Sequence, residues 1–160
     1  MRPDLKFQNR IIKKSMPQNN IQILLPQKIH PPFIKDGIVH YISKLKPYAT
    51  IQMIESKDEK KFYEHCQKLE KETITIILDS RGRQFNSVYF SKTWEQLTTQ
   101  KMKDISFIVG GPYGFSHEPR SDLTLSLSSF TLNHELVPLI LLEQVYRAYT
   151  ILKGLPYHHA

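Results

Sequence analysis

The stretch ISFIVGGPYGFS, Ile105–Ser116, decides how the rest of the sequence is interpreted. Its first part, Ile105–Val109, is a continuous apolar run, which predicts a buried central strand. The run stops at two glycines, followed by a proline, an aromatic residue and a third glycine. Glycine adopts backbone angles that other residues avoid and lets a ligand approach the main chain closely. The end of this strand is therefore a candidate binding loop, although a plain tight turn explains it equally well.

Strand and helix patterns alternate on both sides of this stretch. Apolar or alternating runs predict further strands at Ile21–Leu25, Ala49–Ser56, Thr73–Asp79 and Leu123–Ser128. Helical spacing of apolar residues covers Phe33–Leu45, Asp58–Glu72, Asn86–Lys103 and about His134–Lys153. Asn86 or Ser87 is the expected cap of the third helix, and Gly154 should stop the last one. The alternation predicts one α/β domain with a largely parallel sheet flanked by helices.

Composition limits the possible classes of protein. The chain has 160 residues, a net charge of +7 and one cysteine, Cys66. No apolar run reaches the roughly 18 residues of a membrane span, so no membrane contact is expected. One cysteine cannot form an intrachain disulfide, which fits a reducing compartment such as the cytoplasm, and Cys66 is expected only to pack. The histidines lack zinc-like spacing, so we expect no metal.

The positive charge favours an anionic partner such as nucleic acid. Much of it lies near the N-terminus, where residues 1–15 contain five basic residues and one acidic residue. We expect residues 1–20 to be a basic, flexible extension and residues 21–160 to be the folded domain. Whether Met1 or Met16 is the true start stays open.

The last predicted helix is apolar on two faces. One face carries Leu136, Leu139, Ile140, Leu142, Val145, Tyr146, Tyr149 and Leu152, and the other carries Leu141, Ala148 and Ile151. A helix that is apolar on two faces must bury both. A domain of this size has few inner layers, so the second face is predicted to be a subunit interface; the alternative is a fully wrapped internal helix.

Three small or polar segments follow predicted strands: ILDSRGRQF, IVGGPYGFS and LSLSSFTLNHE. Ligands of open α/β sheets bind at the carboxyl ends of the strands. The glycine stretch matches neither the dinucleotide fingerprint nor the phosphate loop. Together the three segments predict a pocket for a small ligand.

The same segments carry a resemblance to a known family. FIVGGPYGFS and LSLSSFTLNHELVPLILLEQVYRAYTILKGLPYHHA, with LDSRGRQFNS and HYISKLKPY before them, are similar to bacterial SPOUT-superfamily methyltransferases. The members concerned methylate N3 of a pseudouridine in 23S ribosomal RNA of the large ribosomal subunit. The likeness extends from about Ile21 to Ala160, and it is most specific in the C-terminal third.

The resemblance implies a SPOUT fold with a deep C-terminal trefoil knot, a homodimer and S-adenosylmethionine as cofactor. The partner would be large-subunit ribosomal RNA or the assembled ribosome. Carried over by position, the cofactor residues are Leu78, Gly110, Leu127, Ser128, Ser129, Phe130, Thr131 and Leu132. A side chain at Gly110 would then occupy the space of the adenosine. We expect the catalytic residues to be Arg147, Tyr157 and His158, with the last residues lying at the mouth of a cofactor pocket, either their own or the partner's.

Other interpretations stay open at this stage. Glu143 and Arg147 have the spacing of a helix-surface ion pair, and His134 could merely help to start the helix. His158 and His134 are both candidates for the general base, which is not assigned. The chain also departs from the family, with Pro138 where an arginine is usual. This departure motivates a second hypothesis, a catalytically impaired RNA-binding dimer.

Overall fold

A computed structural model of the chain describes residues 18–100 and 103–159. Most of the predicted N-terminal extension, and Ala160, lie outside the described residues. The strands are β1 (Asn19–Leu25), β2 (Ala49–Glu55), β3 (Ile74–Gln84), β4 (Ile105–Val109) and β5 (Leu123–Ser126). The helices are α1 (Pro32–Leu45), α2 (Glu59–Glu72), α3 (Ser87–Gln100) and α4 (Val137–Leu152).

The five strands form one parallel sheet in the order β2-β1-β4-β3-β5. This confirms the α/β class and the parallel sheet that the continuous apolar runs predicted. The glycine stretch thus begins at the carboxyl end of β4, a central strand. The knot stays a prediction.

Side chains of successive strand residues point to opposite faces of the sheet and supply two cores. On one face, β4 contributes Ile105, Phe107 and Val109 to a large core that also contains apolar residues of α1, α3 and α4. On the other face, Ile108 joins a small core beneath α2, where the predicted stripe of Phe62, Cys66 and Leu69 is buried. Three helices therefore cover one face and one helix covers the other. The packing role expected for Cys66 is confirmed.

β3 differs from its prediction. It does not end at Asp79 but continues to Gln84, with an irregularity in which both Leu78 and Arg83 align with Leu125 of β5. A β-bulge of this kind bends the strand and leaves the extra residues unpaired. The segment expected to be an open loop is thus a bulged strand held against β5.

The ends of the helices follow local chemistry. Asn86 is the cap of α3, since its side-chain oxygen accepts a hydrogen bond from the Tyr89 amide at 2.8 Å. α4 begins at Val137 rather than His134, with Pro138 buried in its first turn, where the missing N–H costs nothing. It ends as predicted at Gly154, which has a φ of 64°.

The apolar faces of α4 correct the sequence prediction. Leu141 and Ala148, assigned to a subunit interface, are 0% and 1% exposed within the single chain, because α1 and α3 flank α4 above the sheet. Ile140, assigned to the inner face, is instead half-exposed and lies outside both cores. The outer stripe of α4 is made of half-exposed residues at helical spacing, which are Ile140, Gln144, Arg147 and Ile151.

Among the described residues, no helix is long and apolar enough to cross a membrane. The same part of the chain contains no group of histidine, cysteine or acidic residues that could hold a metal ion.

Candidate functional site

A cavity of about 340 Å³ opens where β3, β4 and β5 end, beside the first turn of α4. Its size lies in the range of small-molecule sites. All the residues predicted to bind a cofactor line it except Ser129; these are Leu78, Gly110, Leu127, Ser128, Phe130, Thr131 and Leu132. Residues that are distant in the sequence thus meet in one cavity, at the edge of the sheet where the strand-end argument expected it.

The glycine stretch forms a tight turn on one side of this cavity. The amide of Gly114 donates a hydrogen bond to the carbonyl of Gly111 at 3.0 Å, and Gly114 has a φ of 81°. Pro112 and the fully exposed Tyr113 form the tip of the turn. The opening segment is therefore both a tight turn and a wall of the pocket.

A close contact within the chain requires a small residue at position 110, and the role predicted for Gly110 in cofactor binding stays a prediction. A Cβ there would lie 3.2–3.3 Å from ring atoms of Phe115 and 3.4 Å from the backbone of Gly114. The Phe115 ring stacks on Phe62 of α2 at a centroid distance of 6.3 Å. The space beside Gly110 is thus occupied by Phe115 and Gly114. A side chain at position 110 would displace the glycine turn that forms this wall of the cavity.

The segment after β5 forms the opposite wall. Ser126 Oγ donates to the carbonyl of Ser128, whose own hydroxyl accepts the amide of Phe130 at 2.9 Å. These bonds curl the chain at the mouth of the cavity, and the Phe130 side chain is left 82% exposed. Among the described residues, the amides of Thr131 and Leu132 donate to no protein acceptor. Such backbone groups can read the edge of a polar ligand.

Asp79 is a pocket residue that the sequence reasoning did not include among the site residues. It follows Leu78 directly and lines the cavity. Hydrogen bonds from the Arg81 side chain, at 2.9 and 3.0 Å, lower the pKa of the Asp79 carboxyl below its ordinary value. The pocket therefore contains an ionised carboxylate. Its position at the end of an apolar run was the available signal.

The loop between β1 and α1 contacts the turn that contains His134 and Glu135, beside the cavity. His134 lines the pocket, and its Nε2 lies 2.5 Å from Nε2 of Gln27. Glu135 accepts a hydrogen bond from the amide of His30 at 2.8 Å, which lowers the pKa of its carboxyl. His134 sits in the turn that precedes α4 and also lines the pocket, a position that suits both of its proposed roles.

The three predicted catalytic residues form a second cluster on α4 and the tail. Arg147 donates to Oε1 of Glu143 at 2.5 and 3.1 Å, so the helix ion pair is present. The same oxygen accepts from the Tyr157 hydroxyl at 3.1 Å, and the Tyr157 ring packs 4.8 Å from the Arg147 guanidinium carbon. His158 Nδ1 lies 3.3 Å from Nη1 of Arg147. The tail is thus docked on α4.

The contacts of His158 and Tyr157 indicate where these two side chains carry their protons. An arginine only donates, so His158 Nδ1 can accept from Arg147 only in a ring that is unprotonated at that nitrogen. Burial and the Tyr41 hydroxyl at 3.3 Å raise the pKa of Tyr157 above its ordinary value. The phenol therefore stays protonated and donates to Glu143.

The C-terminal cluster and the cavity lie far apart within one chain. Val137 touches the cavity, and Arg147 follows it by roughly 15 Å along the helix axis. Tyr149 accepts a hydrogen bond from Asn19, which lies at the start of β1. The starts of the parallel strands lie at the end of the sheet opposite the cavity. The tail therefore does not lie at the pocket of its own chain. The other expectation, that it lies at the pocket of a partner, stays a prediction.

The chain is also similar in sequence to a known family and to several named proteins. The family described as "Predicted SPOUT methyltransferase" matches residues 19–158. A protein of Coprothermobacter proteolyticus named ribosomal RNA large subunit methyltransferase H is 36% identical over 140 residues, covering 86% of this chain and 98% of its own. Proteins of the same name from Bacillus thuringiensis and Bacillus anthracis are each 37% identical over 157 residues, covering 87% of this chain and 99% of their own.

Proposed function

Because the chain belongs to the SPOUT methyltransferase family, we propose that it methylates large-subunit ribosomal RNA with S-adenosylmethionine as the methyl donor. The relatives' name supplies the substrate class, and the match covers nearly their whole length. The finer expectation, N3 of a pseudouridine, is part of the proposal. Work on ribosomal RNA would place the protein in the cytoplasm.

The observation that carries the proposal is the meeting of three strand-end segments in one cavity. Leu78, Gly110 and the residues Leu127–Leu132 come from β3, β4 and the chain after β5. The cavity offers apolar walls, free amides and one ionised carboxylate. These features suit a ligand with a flat heterocycle, polar edges and a positive charge, so S-adenosylmethionine fits the residues present. The same segments are where the family fold would be knotted, and we include the knot in the proposal.

S-adenosylmethionine supplies an activated methyl group on a sulfonium, and the protein supplies position and electrostatics. The amides of Thr131 and Leu132 are suited to hold the adenine edge. Asp79 is suited to the positive end of the ligand, because its carboxyl is kept ionised by Arg81. Gly110 acts indirectly, by keeping Phe115 and the glycine turn in place.

The C-terminal cluster is the proposed catalytic group on the RNA side. Arg147 is suited to a phosphate or to the anion that develops when the N3 imide loses its proton. Tyr157, kept protonated, presents an aromatic ring on which a base can stack. His158 and His134 are the candidates to accept the imide proton. Each is a neutral imidazole when it performs that role.

A homodimer would unite the two parts of the site. The outer stripe of α4, with Ile140 and Ile151, is half-exposed and belongs to neither core. In a two-fold dimer the same stripe contacts its copy, so the Arg147 end of one helix can approach the cavity end of the other. We propose that each active site combines one protomer's cavity with the partner's tail. Ile140→Lys should then give monomers, detectable by sedimentation, that keep the circular dichroism of the wild type.

A methylation assay tests the function directly. The protein is incubated with methyl-labelled S-adenosylmethionine and either ribosomes or free ribosomal RNA, and the modified base is mapped by mass spectrometry. We expect label in large-subunit RNA at N3 of a single pseudouridine. Label at another base would contradict the proposed position.

The second candidate function is an RNA-binding dimer without turnover, which the replacement at Pro138 favours. Pro138 is buried in the first turn of α4, and because proline is uncharged, this position offers no cation to RNA. Absence of label in both RNA substrates, with retained RNA binding, would favour this candidate.

A further inference from the structure

A basic and aromatic cluster of Arg83, Phe85 and Tyr89 lies on the surface next to the cavity. The Phe85 and Tyr89 rings are stacked, 5.4 Å between centroids and 12° between planes. The guanidinium carbon of Arg83 lies 4.8 Å from the Phe85 ring centroid and 5.5 Å from that of Tyr89. Phe85 packs partly against the core, whereas Arg83 is exposed and Tyr89 is 47% exposed.

The bulged end of β3 places this cluster beside the pocket. Arg83 is aligned with Leu125 and Gln84 with Ser126, and both partners on β5 line the cavity. A chain that enters the cavity from this side would pass over Arg83 before it reaches Ser126.

Within the part of the chain that the structure describes, the charge of Arg83 is not balanced by an ion pair. Its neighbour Arg81 is held by Asp79 and lies 3.9 Å from Glu118. Among the described residues, no carboxylate lies within ion-pair distance of Arg83, whose side chain donates only to the Tyr89 hydroxyl at 3.4 Å. A guanidinium lying on aromatic faces keeps most of its donors available, and these donors match phosphate oxygens.

We propose that Arg83, Phe85 and Tyr89 form a platform that binds an unpaired RNA strand at the entrance of the pocket. Tyr89 would stack a base next to the target nucleotide, and Arg83 would contact the phosphate beside it. The inference rests on the proposed function for the location of the target base. The occupant is an anionic strand, because Arg83 pairs with no carboxylate among the described residues and phosphate oxygens complement its charge.

The test measures binding of a fluorescein-labelled, unstructured uridine-rich RNA of about 12 nucleotides, a length within the usual site sizes of such proteins. The full-length wild type is compared with Tyr89→Ala, Tyr89→Phe and Arg83→Gln over a range of salt concentrations. Lys68→Gln is the charge-matched control, since Lys68 is exposed on α2, across the sheet from the cluster. Sedimentation of each variant reports its oligomeric state.

The platform predicts a specific pattern. Tyr89→Ala should weaken binding by about 5- to 150-fold, the equivalent of one stacked base, whereas Tyr89→Phe keeps the ring face and should bind like the wild type. Arg83→Gln should reduce the salt slope by about 0.7, the value for one phosphate contact on a single strand. Lys68→Gln should leave the slope unchanged.

Two results would overturn the platform. Tyr89→Ala and Arg83→Gln could bind RNA no differently from Lys68→Gln, or they could turn a dimer into monomers, which would make the cluster an interface between copies. Wild-type methylation of ribosomal RNA is measured in parallel. If the wild type methylates RNA but RNA binding does not depend on Tyr89, the platform alone is refuted. If RNA binding depends on Tyr89 but no methylation occurs, the proposed function alone is refuted.

Discussion

Replacing Gly82 by alanine should loosen the pairing of the bulged end of β3 with β5, whose residues Leu125 and Ser126 line the pocket. A Cβ at position 82 would lie 2.7 Å from the carbonyl carbon of Leu125, and 2.8 Å from its nitrogen and from the carbonyl carbon of Thr124. All three atoms belong to the backbone, so no side chain can rotate away. The two strands must therefore separate by several tenths of an ångström.

The cost of this separation can be bounded from general packing data. Forcing extra volume into a well-packed site costs about 1–3 kcal/mol. For a chain of this length, each kcal/mol lowers the melting temperature by about 2–4 °C, so Gly82→Ala should melt roughly 2–12 °C below the wild type. Since Leu125 and Ser126 of β5 line the cavity, the affinity for S-adenosylmethionine should fall as well.

The assay combines calorimetric unfolding with isothermal titration of S-adenosylmethionine. Gly111→Ala is the matched control, because a Cβ there meets nothing nearer than 3.8 Å and the backbone has no positive φ. The control should melt within about 1 °C of the wild type or slightly above it, since alanine lowers the entropy of the unfolded chain. An equally stable Gly82→Ala protein with unchanged affinity would refute the steric argument.

Three other predictions concern the tail, the glycine turn and the single thiol. Deleting Tyr157–Ala160 should preserve affinity for S-adenosylmethionine but reduce methylation by about a hundredfold or more. In the same assay, His158→Ala should reduce methylation more than His159→Ala does. Full activity of the truncated protein would exclude a catalytic tail. Gly110→Val should abolish cofactor binding in titration, because it displaces Phe115, while circular dichroism stays near that of the wild type; undiminished affinity would contradict this. Burial raises the pKa of the Cys66 thiol to about 12, so only a trace of thiolate exists at pH 8. Alkylation of Cys66, followed by mass spectrometry, should therefore be roughly a thousandfold slower in the native protein than in urea. Equal rates would contradict the packing role.

The order of strands and helices was predictable because each element carries its own periodicity. Ile105–Val109 and Ile21–Leu25 are continuous apolar runs of strand length, a pattern typical of strands covered on both faces. The alternation of such runs with helical patterns leaves few arrangements other than a parallel sheet. The location of the pocket followed, since the ends of parallel strands meet at one edge.

The errors share one cause, which is that they depend on contacts between distant segments. The continuation of β3 past Asp79 is decided by its pairing with β5, and no local pattern encodes that pairing. The outward orientation of Ile140 depends on where α1 and α3 flank α4. The contact between Gly110 and Phe115 was not predictable for the same reason, since the position of Phe115 depends on Phe62 of α2. Spacing along one element cannot reveal which neighbour fills its space.

The single tryptophan offers a view of how this chain folds. Trp94 is fully buried, stacked on Phe107 of the sheet at 5.9 Å and edge-on to Tyr149 of α4 at the same distance. Its fluorescence should therefore respond during folding to the packing of α3 on β4 and to the packing of the C-terminal helix against α3. Parallel sheets depend on pairing across long sequence separations and fold slowly. Stopped-flow fluorescence of the unmodified protein can thus follow the assembly of this core without an added dye.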